Sequence, residues 1–121
     1  QQAATTYQRA TASSHKGHLY KEVLLACALV KGDDLGFFTP GDIREPLSRI
    51  MGKPYDIPQY AQHLANFCDE ERARALEKTG VKHRYQYRFT DPMLRPYIVI
   101  RGFLDGMLTE QMFDLIPIWQ P

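Results

Sequence analysis

The sequence predicts an α+β domain that is mostly helical, and three observations support this. Apolar residues recur at helical spacing in four segments, and they alternate with a period of two near residue 85. The chain has 121 residues, and 44% of them are hydrophobic, which suits one globular domain. The elements follow the order helix, short strand, helix, helix, strand, strand. This order predicts a winged helix, which is a three-helix bundle with a two-stranded β-hairpin wing, extended here by a C-terminal helix and tail.

The chain divides into three parts by composition. Residues 1–15 are small and polar and predict a linker or the end of an upstream helix. Residues 16–106 hold the periodic segments and predict the winged-helix domain. Residues 107–121 are an apolar tail that is expected to pack on the domain or on a partner. Because the chain starts at Gln1 rather than Met, we expect a fragment or a processed product.

The first predicted helix covers residues 16–32. Its apolar residues lie at i, i+4, i+7, i+8 and i+11, and further leucines widen this face, so the helix should be largely buried. We expect Ser13 or Ser14 to cap its start and Gly32 to end it. The face consists of Leu19, Val23, Ala26, Cys27 and Val30.

The next two helices are predicted from their start signals. Gly36 to Phe38 is long enough only for a small strand, and Thr39-Pro40-Gly41-Asp42 then combines a capping threonine, a proline and an acid. Pro46 predicts a kink or a late start in this helix, and Gly52 ends it. The following helix, Pro58–Cys68, is expected to have Asp56 or Ile57 as its cap.

A hairpin and a last helix complete the domain. Leu76–Lys78 and Val81–Thr90 are predicted strands joined by a turn at Thr79-Gly80. Asp69–Arg74 is either the frayed end of the preceding helix or a loop. The last helix runs from Met93 to about Leu104. The predicted core comprises Leu24, Leu25, Ile43, Leu47, Ile50, Leu64, Phe67, Tyr87, Phe89, Leu94 and Ile98.

Composition excludes several classes of protein. The formal net charge is +1, which argues against bulk electrostatic binding of nucleic acid but permits a local basic patch. The four histidines and two cysteines lack zinc-site spacing, and both thiols are expected to be free and reduced. No apolar stretch of about 18 residues or signal-like segment occurs. We therefore expect a cytoplasmic chain with no metal, cofactor or membrane contact.

Catalytic chemistry is weakly indicated. Cys68 and His63 are five residues apart on one predicted helix, so they do not face each other as a nucleophile and its base. The run from Asp69 to Glu71 is typical of a solvated helix end. We predict no catalytic residues.

Four runs resemble a known family: LYKEVLLACALVK, FFTPGDIREPLSRIMGK, YAQHLANFC and RYQYRFTDPMLRPY. They are similar to the C-terminal winged-helix domain of bacterial origin-recognition-like AAA+/STAND-type P-loop ATPases. The resemblance covers roughly residues 16–106, and its most specific pieces are Arg44 to Leu47 with Arg49 and Gly52, and Tyr85–Pro92 with Tyr97. It implies an ATPase core upstream. This chain lacks the G-x-x-x-x-G-K-[ST] loop, so ATP binding of that kind is not expected here.

Duplex DNA is the first predicted partner. In a winged helix the second helix of the helix-turn-helix enters the major groove, and here that helix is Pro58–Cys68. Its polar side chains suit base edges, and the hairpin and the preceding helix supply positive charge. Against this, the recognition helix has no Lys or Arg, and the acids that follow it would repel phosphates. The candidate contacts are Gln59, Gln62, His63, Asn66, Lys78, Lys82, His83, Arg84, Arg44, Arg49 and Lys53.

Protein docking is the alternative prediction. An exposed apolar tail is typical of a contact surface, either with the ATPase core or in a homodimer. The candidate residues are Met112, Phe113, Ile116 and Trp119. The alternatives differ in what they require: DNA binding requires Lys82 and Arg84 to be exposed on the same side as Gln59 and Gln62. Docking requires an exposed apolar surface near the tail.

Overall fold

A computed structural model describes residues 2–13 and 19–114, with side chains as far as Met112. The described chain is mainly helical and carries one two-stranded antiparallel hairpin, so the predicted α+β class is confirmed. Short 3-10 helices lie at Pro40–Ile43 and Glu70–Arg72. The remaining elements are α1 (Gln2–Thr11), α2 (Tyr20–Ala28), α3 (Arg44–Met51), α4 (Ile57–Asn66), β1 (Leu76–Thr79), β2 (Gln86–Phe89), α5 (Leu94–Leu104) and α6 (Glu110–Asp114).

Helix α2 is the centre of the core. It packs against α3, α4 and α5, and every residue from Val23 to Val30 is buried. The helix is shorter than predicted. It begins after Leu19 without a side-chain cap, and it ends at Ala28, before Gly32. At this end the guanidinium of Arg95 donates to the carbonyls of Ala28 and Val30, and so satisfies acceptors that the end of a helix leaves open.

The start of the segment 40–51 follows from its sequence signals. Thr39 Oγ1 accepts the Asp42 N–H at 3.3 Å, and the Asp42 carboxylate accepts the Thr39 N–H at 2.9 Å, which completes a capping box. The chain first winds as a 3-10 helix, and α3 starts only at Arg44. Pro46 therefore lies in the first turn of α3, where a missing N–H removes no helical bond. This is the late start that the sequence left open.

The hairpin is shorter than predicted at its tip. Thr79 pairs with Gln86 in the last step of the ladder, so residues 81–85 form a loop rather than the beginning of a strand. Positive φ angles of 96° at Gly80 and 73° at His83 turn the chain away from extended geometry. On the other side of β2, the N–H and C=O of Phe38 both bond to Tyr87 at 2.8 Å. This is an isolated β-bridge, so the small strand expected at residues 36–38 is reduced to one paired residue.

The N-terminal and C-terminal helices complete the core. Residues 2–11 form α1, whose Tyr7 and Ala10 are buried and which packs against α5. Of the predicted core residues, Ile50 and Phe89 are half-buried, and the other nine are buried. Within the described ranges, no helix combines the length and the apolar content that crossing a bilayer requires.

Candidate nucleic-acid interface

A groove of about 820 Å³ separates α4 from the tip of the hairpin. Its two walls come from the two segments for which the sequence predicted DNA contacts, the recognition helix and the hairpin. Helix α4 supplies one wall and residues 78–87 supply the other. Most of the lining surface is apolar. The lining residues include Ile57, Ala61, Gln62 and Ala65 of α4 and Lys78, Lys82, His83, Arg84 and Tyr85 of the hairpin.

The polar residues of α4 do not share one direction. Gln62 is exposed and lines the groove. Gln59 is exposed at the start of the helix, and its Oε1 accepts the Asp56 N–H at 2.7 Å. His63 and Asn66 are half-buried and face Tyr20: the rings of His63 and Tyr20 lie 4.8 Å apart, and Asn66 Nδ2 donates to the Tyr20 hydroxyl at 2.8 Å. Of these four predicted contacts, Gln62 lines the groove, whereas Gln59, His63 and Asn66 are not among its described lining residues.

The hairpin tip concentrates positive charge. Lys82, His83 and Arg84 line the groove and are exposed, and neither Lys82 nor Arg84 forms an ion pair with any described residue. Lys78 Nζ lies 4.5 Å from the centroid of the Tyr85 ring, which holds that ammonium against the hairpin. The loop therefore presents cations that are available to a partner in solvent.

The three basic residues around α3 line a second, open depression of about 540 Å³. Arg44, Arg49 and Lys53 all reach it, and Gly41 belongs to both depressions, so the two surfaces adjoin. Two of these charges are already matched: Arg44 lies 3.8 Å from Asp56, and Arg49 lies 2.9 Å from Glu45. The positive charge of this part is consequently weaker than that of the hairpin tip.

The acidic run after α4 lies away from the groove walls. Glu70 forms an ion pair with Arg74 at 3.6 Å, and its carbonyl accepts a hydrogen bond from Arg9. Asp69, Glu70 and Glu71 are absent from the described lining of the groove. The repulsion of phosphates that the sequence order suggested would therefore act from outside the groove lining.

The two thiols have structural environments: Cys27 lies in the core, and Cys68 packs beside α4. Cys27 is buried and Cys68 is half-buried, and both are free. Cys68 Sγ contacts the Leu64 carbonyl at 3.6 Å, and burial raises the pKa of both thiols. A raised pKa keeps a thiol protonated, and the thiolate is the nucleophile. Among the described residues, no three His, Cys, Asp or Glu side chains cluster as metal ligands.

The predicted tail surface is only partly described. Met112 is half-buried and packs against the core. Phe113 belongs to α6 without a described side chain, and Ile116 and Trp119 lie outside the described residues. Sequence reasoning missed an exposed apolar face on α5, although the helical spacing of its residues was a usable signal. That face carries Met93, Ile100 and Leu104, which are 68%, 58% and 70% exposed.

Comparisons of the chain with protein-family models, with curated proteins and with solved structures found no match.

Proposed function

We propose that this chain is a non-catalytic winged-helix domain that contacts duplex DNA through α4 and the hairpin loop 80–85. The described elements follow the winged-helix order from α2 to β2. The isolated β-bridge between Phe38 and Tyr87 supports this assignment, because it ties the hairpin to the segment before α3. We further propose that the domain belongs to a AAA+/STAND-type ATPase, and the four resembling runs support that parentage.

One observation carries the DNA proposal: Gln62 of α4 lines the same groove as Lys82 and Arg84 of the loop. An exposed amide suits base edges, and exposed cations suit phosphates. Their placement on facing walls allows a single duplex to meet both. In this arrangement α4 lies in the major groove while the loop contacts the backbone beside it.

The net charge of +1 shapes how such binding would behave. Because acids elsewhere balance the basic residues, affinity must come from local phosphate contacts at the hairpin tip and around α3. Each phosphate neutralised releases counterions, so binding should weaken steeply as salt rises. Direct readout through α4 would add a smaller term that is sensitive to sequence.

A fluorescence-anisotropy titration with a random-sequence duplex at two salt concentrations tests the proposal. We expect binding that weakens with salt and that is lost in Lys82→Glu/Arg84→Glu. The matched control is Lys21→Glu/Lys31→Glu, which makes the same change in net charge at exposed residues outside the groove lining. The control should bind like the parent chain. Absence of binding at low salt, or equal losses in both variants, would overturn the proposal.

Protein docking is a second candidate function, favoured by the exposed apolar face of α5. Three large apolar side chains on one helix face resemble a contact surface more than a solvated one. Sedimentation velocity over a range of concentrations tests for self-association through this face. Ile100→Glu/Leu104→Glu should abolish it, whereas Leu35→Glu, which changes an apolar residue that is 69% exposed elsewhere, should not. A chain that stays monomeric at every concentration would contradict self-association.

A further inference from the structure

Gln62 is held by a chain of side-chain hydrogen bonds. Its Nε2 donates to Asn66 Oδ1 at 2.9 Å, and Asn66 Nδ2 donates to the Tyr20 hydroxyl at 2.8 Å. The centroid of the Tyr20 ring lies 4.8 Å from that of the His63 ring and 3.5 Å from the guanidinium of Arg72. An exposed glutamine would otherwise sample many rotamers. Here its amide is oriented by groups that reach back into the packed part of the domain.

The donor and acceptor groups of Gln62 that Asn66 does not use are complementary to adenine. A carboxamide has two N–H donors and one carbonyl acceptor, and Asn66 uses a single donor. The second N–H and Oε1 together form a donor–acceptor pair. In the major groove, adenine presents N7 as an acceptor beside the N6 amino group as a donor, and Asn or Gln pairs with it through two hydrogen bonds.

The neighbours of Gln62 favour the same base pair. Ala61 and Ala65 line the groove next to it. Their small side chains allow close approach of α4 to the bases, and a methyl group is the side chain that contacts the C5-methyl of thymine.

We propose that Gln62 reads an adenine in the major groove, and that Asn66 and Tyr20 are positioning residues for its amide. This inference rests on the proposed DNA-binding function and adds a preference for A·T at one position of the site. It also changes the role of Asn66, which the sequence offered as a base contact and the structure turns toward Tyr20. Discrimination should be on the order of tenfold between adenine and the other bases, as for other bidentate contacts.

Selection from a randomised duplex pool, with sequencing of the bound fraction, tests the inference. The parent chain should enrich A·T at one position, and Gln62→Ala should lose that enrichment. Gln62→Arg should shift the same position to G·C, because arginine pairs with guanine O6 and N7. Tyr20→Phe removes a single hydroxyl and should reduce the enrichment several-fold with an unchanged salt dependence. Gln8→Ala, an exposed change on α1, is the matched control and should select the same bases as the parent chain.

The outcomes separate the two proposals. Salt-dependent binding without any base preference, or a preference that survives Gln62→Ala, would overturn the assignment of Gln62 and leave DNA binding intact. An unshifted preference in Gln62→Arg would also overturn it. Absence of binding at low salt would overturn both proposals together. Circular dichroism of each variant confirms folding before selection.

Discussion

The guanidinium of Arg72 lies 3.5 Å from the centroid of the Tyr20 ring. Arg72 also donates from Nη1 to the carbonyls of Ala10 and Ala12, each at 2.8 Å. One side chain thereby joins three parts of the molecule: the end of α1, the beginning of α2 and the 3-10 helix that follows α4. Because Tyr20 also bonds Asn66, the attachment of α1 is connected by direct contacts to the polar face of α4.

Replacing Arg72 should therefore destabilise the domain. Arg72→Ala removes two hydrogen bonds from a charged donor and one cation–π contact, and it leaves carbonyls of the α1 terminus without that partner. We expect a loss of about 2 kcal/mol in the free energy of unfolding, measured by urea denaturation. Arg74→Ala is the control, because its exposed ion pair with Glu70 should contribute less than about 1 kcal/mol. Equal losses in the two variants would contradict the joining role of Arg72.

The buried phenol of Tyr7 should make stability depend on alkaline pH. Burial, as the largest cause, raises the pKa of Tyr7 from 10.0 to about 12. The unfolded chain thus loses this proton at a lower pH than the folded chain does. The contribution of Tyr7 to stability is complete below pH 10 and disappears as pH rises from 10 through about 12.

Denaturant midpoints measured across that pH range check this expectation. Tyr7→Phe has no phenol to ionise, so its midpoint should fall less steeply than that of the parent chain. Burial also raises the pKa of Tyr60 and Tyr87, so the variant should keep part of the decline. Parallel curves for the two proteins would show that Tyr7 contributes nothing to the alkaline loss.

Local signals predicted most of the fold. The capping pair Thr39 and Asp42 and the terminating Gly52, with φ of 72°, act within a few residues of themselves, so the sequence reveals them. The end of α2 was predicted wrongly, because the helix stops at Ala28 and does not reach Gly32. Arg95, which bonds the Ala28 carbonyl, lies 67 positions away, so the segment itself carries no signal of that contact.

The candidate site was predictable in its residue types but not in its geometry. The basic loop residues Lys82 and Arg84 were identified from charge alone. The directions of His63 and Asn66 were not predictable, because both side chains contact Tyr20, which belongs to another helix. Helical spacing shows that Gln62 and His63 lie on different faces, but only the packing of α2 shows which of those faces is covered.

Each single substitution of a basic loop residue should change the salt dependence of DNA binding by the amount expected for one phosphate contact. The slope of log K against log salt is negative. If Lys82 and Arg84 each neutralise one phosphate, then Lys82→Ala or Arg84→Ala should make this slope less negative by about 0.9. The effect should be similar for duplexes of different sequence. Lys31→Ala should leave the slope unchanged, and a slope unaffected by both loop variants would place the phosphate contacts elsewhere.

The backbone conformation of Gly80 helps to set the shape of the loop that carries the proposed phosphate contacts. Its φ of 96° is strained for other residues, and a Cβ added there would lie 2.5 Å from the backbone oxygen of Arg84. Gly80→Ala should therefore lower the free energy of unfolding by about 1–3 kcal/mol and displace the segment that carries Lys82 and Arg84. DNA affinity should fall with it, measured by anisotropy at low salt on protein confirmed to be folded.

Gly106→Ala separates backbone strain from displacement of the loop. Gly106 has a φ of 76°, but an added Cβ there meets no atom within 4 Å, and the residue lies after α5 rather than in the hairpin. This variant should lose stability from strain alone and bind DNA like the parent chain. If Gly80→Ala also binds like the parent chain, the loop does not need its observed conformation to meet DNA.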